Sequence, residues 1–408
     1  MMTFQAQALR DFLSYAKKHS RYYQRIFSEF SVKPEADDIF AEIRKIPPLT
    51  KNDIRKNLDR IMSDEFKGAC HLIKKATGGS TGVPLILWGD KTDYRWNCIV
   101  FERQRRWIGW RGGMAALSIF GGLLDVSSMV RKWMKRIFTN TALINNMDRR
   151  QADYDKILAR ISNPPPEVVE AYFSSLCELA RRAEKRQVPL NGKSLIIACA
   201  EPIDERARLH AEKWLGNKIY FQYGCRELGA LGQECHEQAG YHYPQDSMYC
   251  EVLDEYGQPA ESGYLTITYF CNRVIPLIRY QIGDAAELDE SPCPCGLPYV
   301  RLKAVSGRIS SMIITPDGKQ ITSIIFPHFF KDYPWIMEYQ VEQTSHNSLI
   351  IRIKREIHLF SNESERALTK QLCSAIGNDI DIKLVYDEPF LQVPTGKHVY
   401  FISMLQTN

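Results

Sequence analysis

The sequence predicts an α/β chain in two parts: a large N-terminal domain of mixed sheets and helices, then a small α+β domain. Size gives the first observation, since 408 residues at 44% hydrophobic content exceed the ~250–300 residues at which a single core stops growing. The second is an alternation of short apolar runs with helical stretches between residues 70 and 300, the pattern of strands joined by crossover helices. The third is a fresh series of strands, helices and turns beyond about residue 307, of ordinary domain size. The expected division is 1–306 and 307–408.

Residues 4–30 read as one amphipathic helix, because Leu9, Phe12, Leu13, Ala16, Tyr23 and Ile26 recur near helical spacing. PPLT at 47–50 starts another helix over 51–61, and residues 1–65 together form a helical cover. The central part runs LILW (85–88), a helix over 94–107, ALSIF (116–120), SLIIA (194–198), a helix over 205–215 and KIYFQ (218–222). Such a series argues for at least partly parallel sheet. EVLDEYGQPAESGYLTITYF then reads as a hairpin with Asp254, Gly257 and Pro259 in its turn. The tail holds MIITPDGKQI, a helix over 323–330, SLIIRIK, a helix over 363–376 and DIKLVY. No internal repeat or low-complexity tract interrupts it.

Charge narrows the function little. The formal net charge of +5 arises from 53 basic and 48 acidic residues spread along the chain, with no single-sign block of the kind that binds nucleic acid. No segment approaches the ~18 uninterrupted apolar residues of a membrane span, and the start lacks the apolar core of a signal peptide. A cytoplasmic protein is expected. The eleven cysteines are mostly scattered singly, which argues against a disulfide framework; Cys235, Cys293 and Cys295 stand apart.

ATGGSTGVP (76–84) has the composition of an anion cradle: its glycines let backbone approach a phosphate, while Thr77, Ser80 and Thr81 add hydroxyl donors. A Walker loop needs Gly-Lys-Ser/Thr and a helix directly after it. Here the lysine is missing and Pro84 leads into LILW, so the loop is expected to bridge two strands, and Walker-type kinase chemistry is excluded. The lack of G-x-G-x-x-G after a first strand excludes a dinucleotide dehydrogenase as well. Taken alone, the loop reads equally well as a glycine-rich hairpin turn.

Four further stretches follow it in order: YGCRE (223–227), RYQIGD (279–284), SGR (306–308) and PTGK (394–397). With them the chain resembles the adenylate-forming, acyl- and aryl-CoA ligase superfamily, and within it the phenylacetate-CoA ligase and CapK-like branch. RYYQRIFSEFSV, IRKIPPLTKNDIRKN, ACAEPIDERAR and the CPCG of 293–296 carry the branch-level likeness, which spans essentially the whole chain. The resemblance implies attack of an acid on the α-phosphate of ATP, release of pyrophosphate, and capture of the acyl-adenylate, usually by CoA.

The same resemblance assigns roles. Thr77, Gly78, Gly79, Ser80, Thr81 and Gly82 would cover the β- and γ-phosphates, as a loop best ordered with nucleotide bound. Glu227, with Thr81, would hold Mg²⁺. Tyr223, beside Gly224, would lie against the adenine, and Glu201 and Pro202 would also face the nucleotide. Asp284 would accept from both ribose hydroxyls, a task suited to a carboxylate, and Arg308 would approach ribose and phosphate. Lys397 would arrive with the mobile C-terminal domain to bridge carboxylate and α-phosphate. The chain departs from the family pattern at Ser310-Ser311, where relatives carry an acidic hinge, and at Cys199, where they usually have glycine.

Cys235 and His242, with Cys293 and Cys295 about fifty residues on, form paired clusters whose ligand types suit a closed, structural Zn²⁺ site, with His236 or Cys250 as substitutes. The branch often has such a site in the region 230–300. The acid pocket is expected around Phe120, Gly121, Gly122, Ala198 and Tyr223, and Phe120 and Trp110 favour an aryl or other flat apolar acid; core packing explains those aromatics equally well. Besides CoA, the acceptor could be an amine, a hydroxyl or a carrier-protein thiol. A nucleotide-binding assembly protein without turnover is a further alternative, and the oligomeric state, a homodimer included, is left open.

Overall fold

Ser20 divides the 4–30 segment in two, correcting the single helix expected there. Its side chain accepts from the Tyr23 amide and caps the helix Arg21–Glu29, leaving Met2–His19 as a separate helix. A serine hydroxyl satisfies an orphan N–H at a helix start, whereas inside a helix it competes with the backbone. The computed structural model describes all residues except 1, 77–84, 121–139, 146–152, 191, 255, 309–311, 319, 323–324, 331, 378, 392–398 and 406–408. Contacts divide the chain into two units, Met1–Gly112 with Tyr220–Val305, and Gly113–Ile219 with Ser306–Asn408.

In the first unit the helical cover continues through Ile39–Arg44 and Lys51–Ile61, the latter opened by a reciprocal capping box between Thr50 and Asp53. The cover is fastened to the strand Leu277–Asp289. Leu49 N–H donates to Arg279 O at 2.8 Å and Gln281 N–H to Leu49 O at 3.0 Å. Arg279, only 1% exposed, donates to the carbonyls of Arg44 and Ile46 and pairs with buried Glu251 at 3.1 Å. Its strand neighbours Ser262–Tyr269, which pairs with Met248–Leu253 to form the expected hairpin. Asp254 closes that turn by accepting from the amides of Tyr256 and Gln258. Arg301–Arg308, Tyr241–His242, Gly229–Glu234 and Ile219–Cys225 follow in sheet order. Separately, Ile73–Ala76 and Ile86–Gly89 pair antiparallel, so the glycine-rich segment does bridge two strands.

The second unit holds the parallel sheet that the alternation predicted. Leu195–Cys199, Val168–Tyr172, Ala116–Phe120 and Thr141–Asn145 lie side by side, all parallel, with helices Tyr154–Ser162, Phe173–Lys185 and Glu205–Leu215 between strands. Asp204 caps the last of these helices, and Gly216 at φ +76° ends it. Residues 313–401 form a core of their own around Trp335, Phe326, Phe330, Val341, Ile351 and Leu372. Its sheet runs Asp381–Tyr386, Ser348–Arg355, Ile336–Ser345, Phe401–Ser403, with helices Ile325–Phe330 and Asn362–Ile376. None of the eleven cysteines forms a disulfide, and among the described residues no helix is long and apolar enough to cross a membrane.

Candidate functional site

Asp284 projects from a bulge. Gln281 lies opposite Thr266 and Ala285 opposite Tyr264, so residues 282–284 stand against Leu265 alone. Gly283 at φ +95° makes the detour, a conformation that other residues adopt only under strain. There the half-buried Asp284 receives the Tyr223 hydroxyl, which donates to Oδ2 at 2.6 Å. Burial and the adjoining carboxylate hold the Tyr223 phenol well above its ordinary range, so it stays a donor.

Glu227 lies in the tight turn between Ile219–Cys225 and Gly229–Glu234. Gly224 is needed where these strands close, since a Cβ there would stand 2.6 Å from Gly229 O. The Glu227 side chain is buried, yet its Oε1 accepts from the Tyr280 hydroxyl at 3.3 Å and faces Lys51 Nζ at 3.4 Å. Lys75 donates to the Glu227 carbonyl at 3.3 Å while holding fully buried Asp93 at 2.6 Å. A buried carboxylate of this kind suits Mg²⁺, which commonly takes one or two carboxylates and completes its shell with water and phosphate oxygens. Tyr223, Gly224, Glu227 and Asp284 are thus brought together by one hairpin and one strand. Tyr280 and Lys51 belong with them, although the sequence reading missed both.

In the second unit Phe120, Tyr172 and Ala198 gather at the carboxyl ends of the parallel strands, where open α/β sheets place ligands. The Phe120 ring meets that of Tyr172 edge-on at 5.2 Å, and Ala198, fully buried, pairs in register with Ala171. Tyr172 is a third residue the sequence reading passed over; its signal was the aromatic end of VVEAY. Ala200 at φ +68° turns the chain, and Glu201 then accepts from Ser174 N and Oγ at 2.7 and 2.8 Å. Glu201 therefore sits at the start of the helix Phe173–Lys185, where a carboxylate is favoured; Pro202 beside it is half-buried. Trp110 is half-buried in the first unit, and Arg308 ends the strand Arg301–Arg308. Thr77, Gly78, Gly79, Ser80, Thr81, Gly82, Gly121, Gly122, Ser310, Ser311 and Lys397 lie outside the described residues.

Cys235, His242, Cys293 and Cys295 converge, their ligand atoms all within 4.8 Å of one another. Cys235 Sγ is 3.8 Å from Cys293 Sγ, and Cys295 Sγ is 3.3 Å from His242 Nε2. Tetrahedral zinc with ordinary bond lengths separates two sulfurs by about 3.8 Å and a sulfur and nitrogen by about 3.5 Å, so the set fits that ion. His242 Nδ1 lies 3.0 Å from Tyr299 O; as a donor there it would turn Nε2 toward the thiols. Burial holds the His242 imidazole below its usual range, in the neutral form that a metal needs. The Trp107 ring stands edge-on to His242 at 5.8 Å, walling the cluster.

Comparison with known proteins bears on the fold and on relatives of the chain. The fold is that of the adenylate-forming enzymes: a solved 2-hydroxyisobutyryl-CoA ligase in the postadenylation state, bound to 2-HIB-AMP, superposes with a TM-score of 0.74 at 17% identity, covering 98% of this chain and 88% of that one. Residues 313–403 match the family model of the CapK C-terminal domain. Protein CapK of Staphylococcus aureus is 22% identical over 414 residues, spanning 100% of this chain and 90% of its own length. A phenylacetate-coenzyme A ligase of Thermus thermophilus is 27% identical over 329 residues, spanning 77% of this chain and 72% of its own. The chain is a homologue of CapK and of the phenylacetate-CoA ligases, built on the adenylate-forming fold.

Proposed function

We propose that this protein uses ATP to convert a small carboxylic acid into an acyl-adenylate, releasing pyrophosphate, and then passes the acyl group to the thiol of CoA in the cytoplasm. The observation that carries the reading is the convergence, in a homologue of phenylacetate-CoA ligases, of buried Glu227 and the Tyr223–Asp284 hydrogen bond on one hairpin and one strand. The edge-on aromatic pair Phe120 and Tyr172 supports an aryl or arylacetic acid.

The first step is a problem of charge and positioning, since an anionic acid must meet an anionic nucleotide. Asp284 would hold the ribose hydroxyls, its orientation fixed by Tyr223, whose ring, beside Gly224, would lie against the adenine; Glu201 and Pro202 would also face the nucleotide. Thr77 through Gly82 would cover the β- and γ-phosphates, and Arg308 would reach ribose and phosphate. Mg²⁺, held by Glu227 with Thr81, would supply positive charge at the phosphates. Lys397 would bridge the acid and the α-phosphate, and residues 307–408 would move as a domain about Ser310-Ser311 between half-reactions. Lys397→Ala is expected to slow acid-dependent pyrophosphate release by about 10²–10³-fold, measured over aryl, arylacetic, fatty and amino acids with and without CoA. An unchanged rate would remove Lys397 from the step; ATP binding without release from any acid would favour an assembly protein instead.

A second reading differs in the acceptor alone. Adenylation would be the same, with an amine, hydroxyl or carrier-protein thiol in place of CoA. Stimulation of AMP formation by CoA in the same screen decides between them.

Cys235, His242, Cys293 and Cys295 would hold a structural zinc ion. About one zinc per purified chain is expected by elemental analysis, and Cys293→Ser should lose it together with thermal stability. Far less than one zinc per wild-type chain would contradict the assignment.

A further inference from the structure

Lys51 has no role in the reading above, yet it is the cation placed against the Glu227 carboxylate, with Nζ 3.4 Å from Oε1. Its position in the helix is unfavourable by local rules. It is the first residue of Lys51–Ile61, where the helix dipole favours acids and disfavours a lysine. Its backbone is fixed nonetheless. Leu49, two residues earlier, exchanges hydrogen bonds with Arg279 and Gln281 and forms a parallel bridge with Tyr280, the residue whose hydroxyl meets the same Glu227 oxygen. The neighbouring Lys75 is bound at 2.6 Å to Asp93, itself fully buried, so its charge offsets a structural carboxylate. The side chain of Lys51 is 27% exposed, open to an incoming anion, and the glycine-rich segment that follows contains no lysine.

We propose that Lys51 is a phosphate-binding residue of the nucleotide site, which makes the N-terminal helical cover part of the catalytic apparatus. The inference rests on the adenylation reading above. In that step a carboxylate oxygen bonds to the α-phosphorus, the bond from the α-phosphorus to the bridging oxygen breaks, and pyrophosphate leaves with the electron pair; no proton moves. Negative charge therefore grows on the leaving group. Lys51, balanced by Glu227 before nucleotide binds, sets its ammonium against the β- and γ-phosphate oxygens and offsets that growth. A compact charge on a long stem can make this short move without altering the helix.

The test compares Lys51→Met, Lys51→Arg and the exposed Lys56→Met on the same helix with wild type, in acid-dependent exchange of labelled pyrophosphate into ATP and in calorimetric titration with ATP and with AMP. Lys51→Met should slow exchange by about 10²–10³-fold and weaken ATP while leaving AMP affinity unchanged. Lys51→Arg should recover part of the loss, and Lys56→Met should match wild type. A Lys51→Met protein that exchanges normally, or that loses AMP and ATP affinity equally, overturns the assignment; should it melt early, the same criteria apply to Lys51→Gln. Absence of exchange in wild type would instead remove the adenylation reading itself.

Discussion

Arg279→Met is expected to lower stability by about 3–5 kcal/mol, because one partner of a buried ion pair is removed and the other is left without compensation. Glu251 is 6% exposed, and its Oε1 already has no hydrogen-bond partner among the described residues. The carbonyls of Arg44 and Ile46 would lose their donor as well. At about 2–4 °C per kcal/mol, melting should fall by roughly 6–20 °C. The pH dependence has a definite sign. Burial raises the Glu251 pKa above its ordinary value, against the lowering effect of Arg279, so the folded state binds the proton more tightly than the unfolded state and gains stability as pH falls toward the ordinary carboxylate range. Removing Arg279 raises that pKa further. The deficit of Arg279→Met relative to wild type should therefore be largest near neutral pH and shrink in mild acid. Calorimetric melting at both pH values checks this, and a deficit that grows on acidification would contradict the pair's role.

If Asp284 holds both ribose hydroxyls as proposed, Asp284→Ala should raise the KM for ATP and lower kcat/KM by about 10²–10⁴-fold, from two charge-assisted hydrogen bonds at about 1.5–3 kcal/mol each. Asp284→Asn keeps an acceptor oxygen and should lose less. Tyr223→Phe removes only the hydroxyl that orients the carboxylate and should cost about tenfold, within the range of one ordinary hydrogen bond. Steady-state kinetics with ATP varied would expose the ordering; a wild-type KM in Asp284→Ala would take this carboxylate out of the ribose site.

Much of this arrangement was legible in the sequence because the chemistry is local. YGCRE and RYQIGD each carry the side chain proposed for the site, Glu227 and Asp284, on a turn or bulge with a glycine close by, and Gly224 and Gly283 have the close approach and positive φ that explain them. The cluster of Cys235, His242, Cys293 and Cys295 was legible because thiols and an imidazole in paired clusters have few uses other than metal binding. Lys51 was not, since its meeting with Glu227 depends on Leu49 docking beside Tyr280, a pairing that no local pattern encodes. The break at Ser20 was hidden by continuous apolar spacing on both sides of it. Ile336–Ser345 escaped notice as a strand because Gln340, Glu342 and Gln343 occupy buried positions in it. Gln340 and Gln343 are satisfied there by backbone at Leu391, Val399 and Ile314, brought near only by the tertiary fold.

The most direct test of adenylation follows the oxygen. An acid that supports pyrophosphate release is supplied with ¹⁸O in both carboxylate oxygens, together with ATP and the acceptor, and the nucleotide product is weighed by mass spectrometry. Attack of the carboxylate on the α-phosphate predicts AMP carrying one ¹⁸O per molecule. Unlabelled AMP, or ADP in its place, would contradict it.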